Sequence, residues 1–172
     1  MPNSRISPRL KDFDYTTPGP YFLTLCLETR SDRFGLIDAD GVLILNDSGR
    51  MVFDAWSDIP KRFSRVELDA FVVMPDHLHG IVSLLPNGIS DLASVVRWFK
   101  IVTTKRFGIG VSQKNWPPYR GHLWQRSFYD HVVRNEADLN RCREYIDSIQ
   151  VGGWNGTDHE SRIWGGYTAR VA

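Results

Sequence analysis

The sequence predicts an α+β domain: an antiparallel sheet with helices packed on one face and a further helix at the C-terminal end. Three observations predict it. Strand-sized runs rich in β-branched and aromatic residues alternate with three stretches of helical periodicity. A tight Pro75-Asp76 turn joins two of the strands. Capping residues stand at the head of two of the helical stretches, at Asn46-Asp47-Ser48 and Asn135, where a side-chain oxygen can accept from an orphan backbone N–H.

Taken in order, Tyr21 to Leu27 reads as the first strand, preceded by Pro18-Gly19-Pro20. A hairpin-like insert follows, from Arg33–Ile37 through Asp38–Gly41 to Val42–Leu45. Helix one starts at the Asn46-Asp47-Ser48 cap and carries Met51, Val52, Ala55 and Trp56 to about Asp58, ahead of Pro60. Arg65 to Met74 is a strand and His77 to Leu85 its antiparallel partner. Helix two starts near Ser90-Asp91, with Leu92, Val95, Val96, Phe99 and Val102 at helical spacing. Gly108 to Gly121, with Pro117-Pro118, reads as a loop, and Phe128 to Val133 as the last strand. Asn135 caps a third helix with Glu136 and Asp138 in its first turn, where the dipole favours anions; it runs to about Ser148. This is the ferredoxin-like βαββαβ order plus a C-terminal helix.

The 172 residues, 42% hydrophobic and 24% charged, fit one globular domain over residues 18–150, with an N-terminal extension (1–17) and a divergent tail (151–172). No apolar run is long enough to cross a bilayer, and Met1 to Lys11 lacks the apolar segment of a secretory signal, so a cytoplasmic protein without a membrane partner is expected. Cys26 and Cys142 read as reduced, buried thiols. The net charge of +1 hides an asymmetry. No acidic residue lies between Asp91 and Asp130, a stretch holding Arg97, Lys100, Lys105, Arg106, Lys114, Arg120 and Arg126. That stretch carries +7 and the remainder −6, so it can attract a phosphate backbone although the whole is near neutral. Trp98, Trp116, Tyr119, Trp124 and Tyr129 lie among these charges, as stacking platforms for unpaired bases or as core residues.

The sharpest local signal is His77-Leu78-His79. Side chains alternate across a strand, so both imidazoles face one way and Leu78 the other. Two histidines so placed either ligate one divalent ion or decorate a solvent-facing sheet surface. Tyr145 stands at the edge of the Leu139, Cys142, Ile146 stripe of the third helix, either as a half-buried aromatic or as a nucleophile. His131 reads as a structural polar residue, and His122 and His159 carry no assignment.

These pieces occur together and in order. Val66–Ile81, with its Met-Pro-Asp-His-Leu-His core, resembles the signature strand pair of the HUH-type (histidine–hydrophobic–histidine) transposases. Leu123–Ala137 and Leu139–Ile146, with Ala55–Pro60 and Val102–Arg106, resemble the REP-associated tyrosine transposases over about residues 18 to 148. The resemblance implies a DNA transesterase that cleaves and rejoins single-stranded DNA at repeat hairpins, as a monomer or a homodimer. It implies Mg²⁺ or Mn²⁺ held by His77 and His79, with Tyr145 attacking phosphorus to leave a 5′-phosphotyrosine and a free 3′-hydroxyl. Arg97, Lys100, Lys105, Arg106, Lys114, Arg120 and Arg126 are the expected DNA contacts.

One departure stands out. The family commonly places an asparagine four residues after the tyrosine, where it shares the helix face. Ile149 occupies that position, so Gln150 is the candidate third ligand, provided the helix unwinds before Gly152-Gly153. Besides the active transesterase, two readings therefore stand: a non-catalytic hairpin-binding module, and an RNA-binding ferredoxin-like domain. The last would normally carry aromatics where this chain has histidines.

Overall fold

Secondary structure follows the order of those signals in a computed structural model that describes residues 13–150. Strand β1 (Gly19–Cys26) leads into a small ribbon of β2 (Gly35–Ile37) and β3 (Leu43–Leu45). Helix α1 (Asp47–Ser57) and the single turn α2 (Ile59–Arg62) precede the hairpin of β4 (Val66–Val73) and β5 (His77–Leu84). Helix α3 (Leu92–Gln113), strand β6 (Tyr129–Val132) and helix α4 (Glu136–Gln150) complete it. The main sheet has the order β4-β5-β1-β6 with every neighbouring pair antiparallel, which is the ferredoxin-like arrangement.

Both expected caps, at Asn46 and Asn135, form, and Asp91 supplies a third. Asn46 Oδ1 accepts from Gly49 N–H at 2.9 Å, Asp91 Oδ1 from Ser94 N–H at 2.6 Å, and Asn135 Oδ1 from Asp138 N–H at 2.9 Å. One expectation fails. Residues 108–113 are not loop: α3 continues through Gly108 and Gly110 for 22 residues. Tertiary packing overrides the weak helix propensity of glycine here. The six-membered ring of Trp116 lies where a Cβ on Gly110 would sit, at 2.1 Å, and buried Phe107 anchors the preceding turn. The helix ends at Gln113 with Lys114 as its C-cap, and Asn115 beyond it takes the left-handed φ of 54° that a C′ residue supplies as a stop.

Strand alternation splits the interior in two. Leu23, Leu25, Leu78 and Val82 face α1 and α3 and join Trp56, Phe99 and Trp124 in the larger cluster. Phe22, Val72 and Ile81 face the other way and pack with Cys142, Tyr145, Ile146 and Ile149 of α4. Gly80, between Leu78 and Val82 on the α1/α3 face, is covered by the Trp56 indole so closely that a Cβ would stand 2.5 Å from the ring. Both cysteines are free thiols, Cys142 buried and Cys26, against expectation, half-buried near the end of an otherwise buried strand. Among the described residues no helix is long and apolar enough to cross a membrane.

Candidate active site

His77 and His79 project from β5 onto the α4 face, because Leu78 between them is drawn into the larger core. They are not a solvent-facing decoration: His77 is 8% exposed and His79 2%. Each ring is oriented through its Nδ1. His77 Nδ1–H donates to Asp76 Oδ1 at 2.5 Å, and Asp76 is itself held by Arg30, whose NH1 donates to Oδ2 at 3.1 Å. His79 Nδ1 shares a hydrogen bond of 2.8 Å with the Thr24 hydroxyl, directly across the β1–β5 ladder. Phe22, two residues before Thr24 and so on the same face, stacks on the His79 ring at 5.5 Å between centroids.

With both Nδ1 atoms engaged, the two Nε2 atoms converge to 3.0 Å. With His77 Nδ1–H committed to Asp76, the gap between the two Nε2 atoms is bridged by one proton or by a cation. The spacing fits a cation. Two nitrogens 3.0 Å apart, each about 2.1 Å from a common ion, subtend about 90°, the cis angle of an octahedral ion such as Mg²⁺. Protonation states fit as well. Burial, reinforced by His77 and Arg30, pushes the His79 pKa well below its usual value, keeping the imidazole neutral as a ligand must be. The hydrogen bond from His77, with Arg30 behind it, holds the Asp76 carboxyl at about 2.

Helix α4 brings Tyr145 over this pair. Its side chain is 6% exposed, its ring meets that of His79 edge-on at 5.2 Å, and its hydroxyl lies 3.3 Å from His79 Nε2. Docking of α4 is reinforced two residues earlier, where Arg143 grips Asp69 of β4: Nε lies 3.0 and 3.1 Å from the two carboxylate oxygens and NH2 2.6 Å from Oδ2. Asp69 lies where the β4–β5 register shifts between Leu68 and Phe71. Ile149, one turn beyond Tyr145, is buried in the same cluster and offers no ligand atom. The side chain of Gln150 lies outside the described residues, as do residues 151–172 and His159.

The basic stretch is dispersed on the opposite side of the sheet. Arg97, Lys100, Lys105 and Arg126 rim a groove of about 640 Å³ between α3 and residues 121–128, with His122 and Ile101. Lys100 has a structural share in it: its ammonium donates to the carbonyls of Gln125 at 2.7 Å and Ser127 at 2.9 Å. Arg106 pairs with Asp58 at 3.6 Å, Lys114 lies over the Trp116 ring and lines a separate cleft with Arg33 and Arg50, and Arg120 is exposed. The aromatics interleaved with these charges are mostly packing residues. Trp124 is buried and donates to Thr103, Trp98 packs on Phe63, and Trp116 and Tyr119 pack on Phe107. Asp76, Thr24, Phe22 and Arg30 were not singled out by sequence reasoning. Adjacency to the His-x-His pair was the available signal for Asp76; Thr24 becomes visible only once the β1–β5 register is known.

A ferredoxin-like sheet with a paired-histidine face and a tyrosine helix docked on it defines the class of the IS200-like transposases, and that family's profile, described as Transposase IS200 like, matches residues 51–149, more than half of the chain. A REP-associated tyrosine transposase of Escherichia coli K12 is 30% identical over 144 residues, covering 81% of this chain and 72% of its own. The chain belongs to the REP-associated tyrosine transposase family. An uncharacterized protein of Haemophilus influenzae is 33% identical over 162 residues, covering 86% of this chain and 88% of its own. A solved REP-associated tyrosine transposase bound to a REP hairpin shares the fold, with a TM-score of 0.60 at 24% identity over 92% of this chain and 88% of that one.

Proposed function

We propose that this chain is a divalent-cation-dependent tyrosine transposase that cleaves and rejoins single-stranded DNA at hairpins. The observation that carries this reading is the convergence of Tyr145 Oη, His79 Nε2 and His77 Nε2 under one helix, at 3.3 and 3.0 Å. His77 and His79 would hold Mg²⁺ or Mn²⁺, which supplies charge neutralisation at a non-bridging phosphate oxygen. Gln150 is the proposed third ligand. The chain's own residues do the rest. Tyr145 Oη gives up its proton to solvent and forms a bond to phosphorus, the P–O3′ bond breaks, and the leaving 3′-oxygen takes up a proton from solvent as a free hydroxyl. The phosphotyrosine keeps a phosphodiester, so the reverse attack by a 3′-hydroxyl rejoins the strand without an external energy source.

A hairpin partner is supported by the REP hairpin bound to the structural neighbour. Arg97, Lys105 and Arg126, with Lys100 behind them, offer the groove for its phosphates, and Arg106, Lys114 and Arg120 extend the positive field. Because that groove and Tyr145 lie on opposite faces of the sheet, DNA engaging both passes the β6 edge. Buried Ile149, where a ligand would complete the cation site, favours a second reading, a hairpin-binding protein without cleavage.

One experiment separates the two. Purified protein is incubated with labelled single-stranded hairpin oligonucleotides and Mn²⁺, and covalent adducts are sought under denaturing conditions. An adduct lost in Tyr145→Phe and with EDTA is the expected result. Binding without an adduct across a broad panel of repeat hairpins would leave the non-catalytic reading standing.

A further inference from the structure

A second group of ligand-type side chains lies on the same face of the sheet, away from the histidine pair. His131 of β6 meets Asp138 and Cys142 of α4, and one donor atom from each lies within 4.8 Å of the other two. We propose that His131 Nε2, Asp138 and Cys142 Sγ form a structural site for a borderline-soft divalent cation of the Zn²⁺ type, distinct from the site at His77 and His79.

Three arguments support it. The donor set is imidazole, carboxylate and thiolate, which selects a Zn²⁺-like ion over the Mg²⁺ or Mn²⁺ suited to the other pair. The spacing is near what is required: ligand bonds of about 2.0–2.3 Å in a tetrahedron set ligand atoms about 3.3–3.7 Å apart. No two of the three donor atoms are more than 4.8 Å apart, so side-chain displacements of about an ångström close the figure. Third, the three donors come from two elements, β6 and α4, that face each other here, so one ion could be shared between them. In the ion-free protein His131 Nε2–H donates to Asp138 Oδ2.

Asp138 also has a local duty. Its Oδ2 accepts from Arg134 N–H at 3.0 Å, reciprocating the Asn135 cap. That bond leaves Oδ1, which is shared only with Arg141 at 3.1 Å in an i,i+3 pair; the Arg141 side chain is 59% exposed and is easily displaced. Cation binding displaces the proton on His131 Nε2, which the ring keeps as Nδ1–H, and the thiol proton of Cys142, which is released to solvent; the part-exposed His131 edge leaves room for water as a fourth ligand. The ion would fasten the first turns of α4 to β6. Cys142 lies one turn ahead of Tyr145, so it would also steady the tyrosine.

Titration of the full-length protein with Co²⁺ tests this. Expected is a near-ultraviolet thiolate-to-cobalt charge-transfer band saturating at a single ion per chain, lost in Cys142→Ser and retained in the His77→Ala/His79→Ala double variant. Zn²⁺ should also raise the melting temperature of that double variant. No band in folded protein overturns the site, and so does a band surviving Cys142→Ser, which would assign the thiolate to Cys26. Should Cys142→Ser not fold, Asp138→Asn substitutes, since its amide oxygen still accepts from Arg134 N–H. A fall of at least about tenfold in Co²⁺ affinity is expected there, and an unchanged affinity overturns the proposal.

Discussion

The two faces of the sheet are built to opposite rules. On the α1/α3 face the interior is hydrocarbon and aromatic: Trp56 over Gly80, Phe99 against Trp124, Leu23, Leu25 and Leu78 beneath. Its buried polar groups are few: the Thr103 hydroxyl accepts from the Trp124 indole, the Tyr21 hydroxyl donates to the Thr17 carbonyl, and the Asp130 carboxylate lies opposite Leu23. On the α4 face a smaller apolar patch surrounds His77, His79, Thr24 and the Tyr145 hydroxyl, all nearly excluded from water. Burying such groups costs free energy even when they are hydrogen-bonded, and a sheet with only this face covered would be marginal. The comparison teaches that the larger core supplies the stability, and the smaller one spends it on a preorganised polar site.

Mutations can break that division of labour from either side. Trp56→Ala should have the largest effect, a loss of about 3–5 kcal/mol in urea unfolding, because it empties the contact over Gly80 and Phe99. A loss under about 1 kcal/mol would mean that the α1/α3 face is not the stabilising one. Next come the residues that aim the imidazoles. Thr24→Val keeps shape but removes the partner of His79 Nδ1, and should lower Mn²⁺ affinity about 10–100-fold with little change in melting temperature. Asp76→Asn retains an acceptor for His77 Nδ1–H and should fall short of that. Equal affinity in Thr24→Val and the parent, read by electron paramagnetic resonance, would remove Thr24 from the site.

The pH dependence gives a smaller effect of known sign. The folded His79 pKa lies well below its unfolded value near 6.5, so below that pH the unfolded chain binds the extra proton. Stability is therefore complete above about pH 6.5 and declines as pH falls toward the folded value, by at most about 1.4 kcal/mol per pH unit. His79→Gln should flatten this slope between pH 7 and 5, and an unaltered slope would point to another group. Smallest of all, Tyr145→Phe should leave stability within about 1 kcal/mol, since it removes one hydroxyl at the rim of a ring that stays packed on Phe22 and His79.

Much of this was legible from residue order. Caps at Asn46 and Asn135, the start of α3 near Ser90-Asp91, the hairpin through Pro75-Asp76 and the opposed faces of Leu78 and its flanking histidines are local consequences of side-chain type and strand period. What stayed hidden depends on distant contacts. The last turn of α3 needs Trp116 to fold back over Gly110, an event no window over residues 108–113 reveals. Thr24 is 55 residues from His79 and becomes a partner only through the strand register. The split of the basic residues between a groove on one face and a tyrosine on the other likewise follows from topology. Charge counting along the chain finds the cations but not the side of the sheet on which they stand.

The grip of Arg143 on Asp69 has a consequence for timing. Helix α4 is held to the sheet by this pair, its cap and a small apolar patch, whereas β1 and β5 lie in the middle of the sheet between two layers. An element attached so lightly opens more often than the body to which it is attached. Native-state hydrogen exchange should find α4 amides exchanging through an opening well short of global unfolding, and faster still in Arg143→Ala, while β1 and β5 amides exchange only when the whole chain unfolds. Each such opening lifts the Tyr145 hydroxyl off His79 and sets it back on reclosure, so the contact between helix and histidine pair carries a built-in duty cycle.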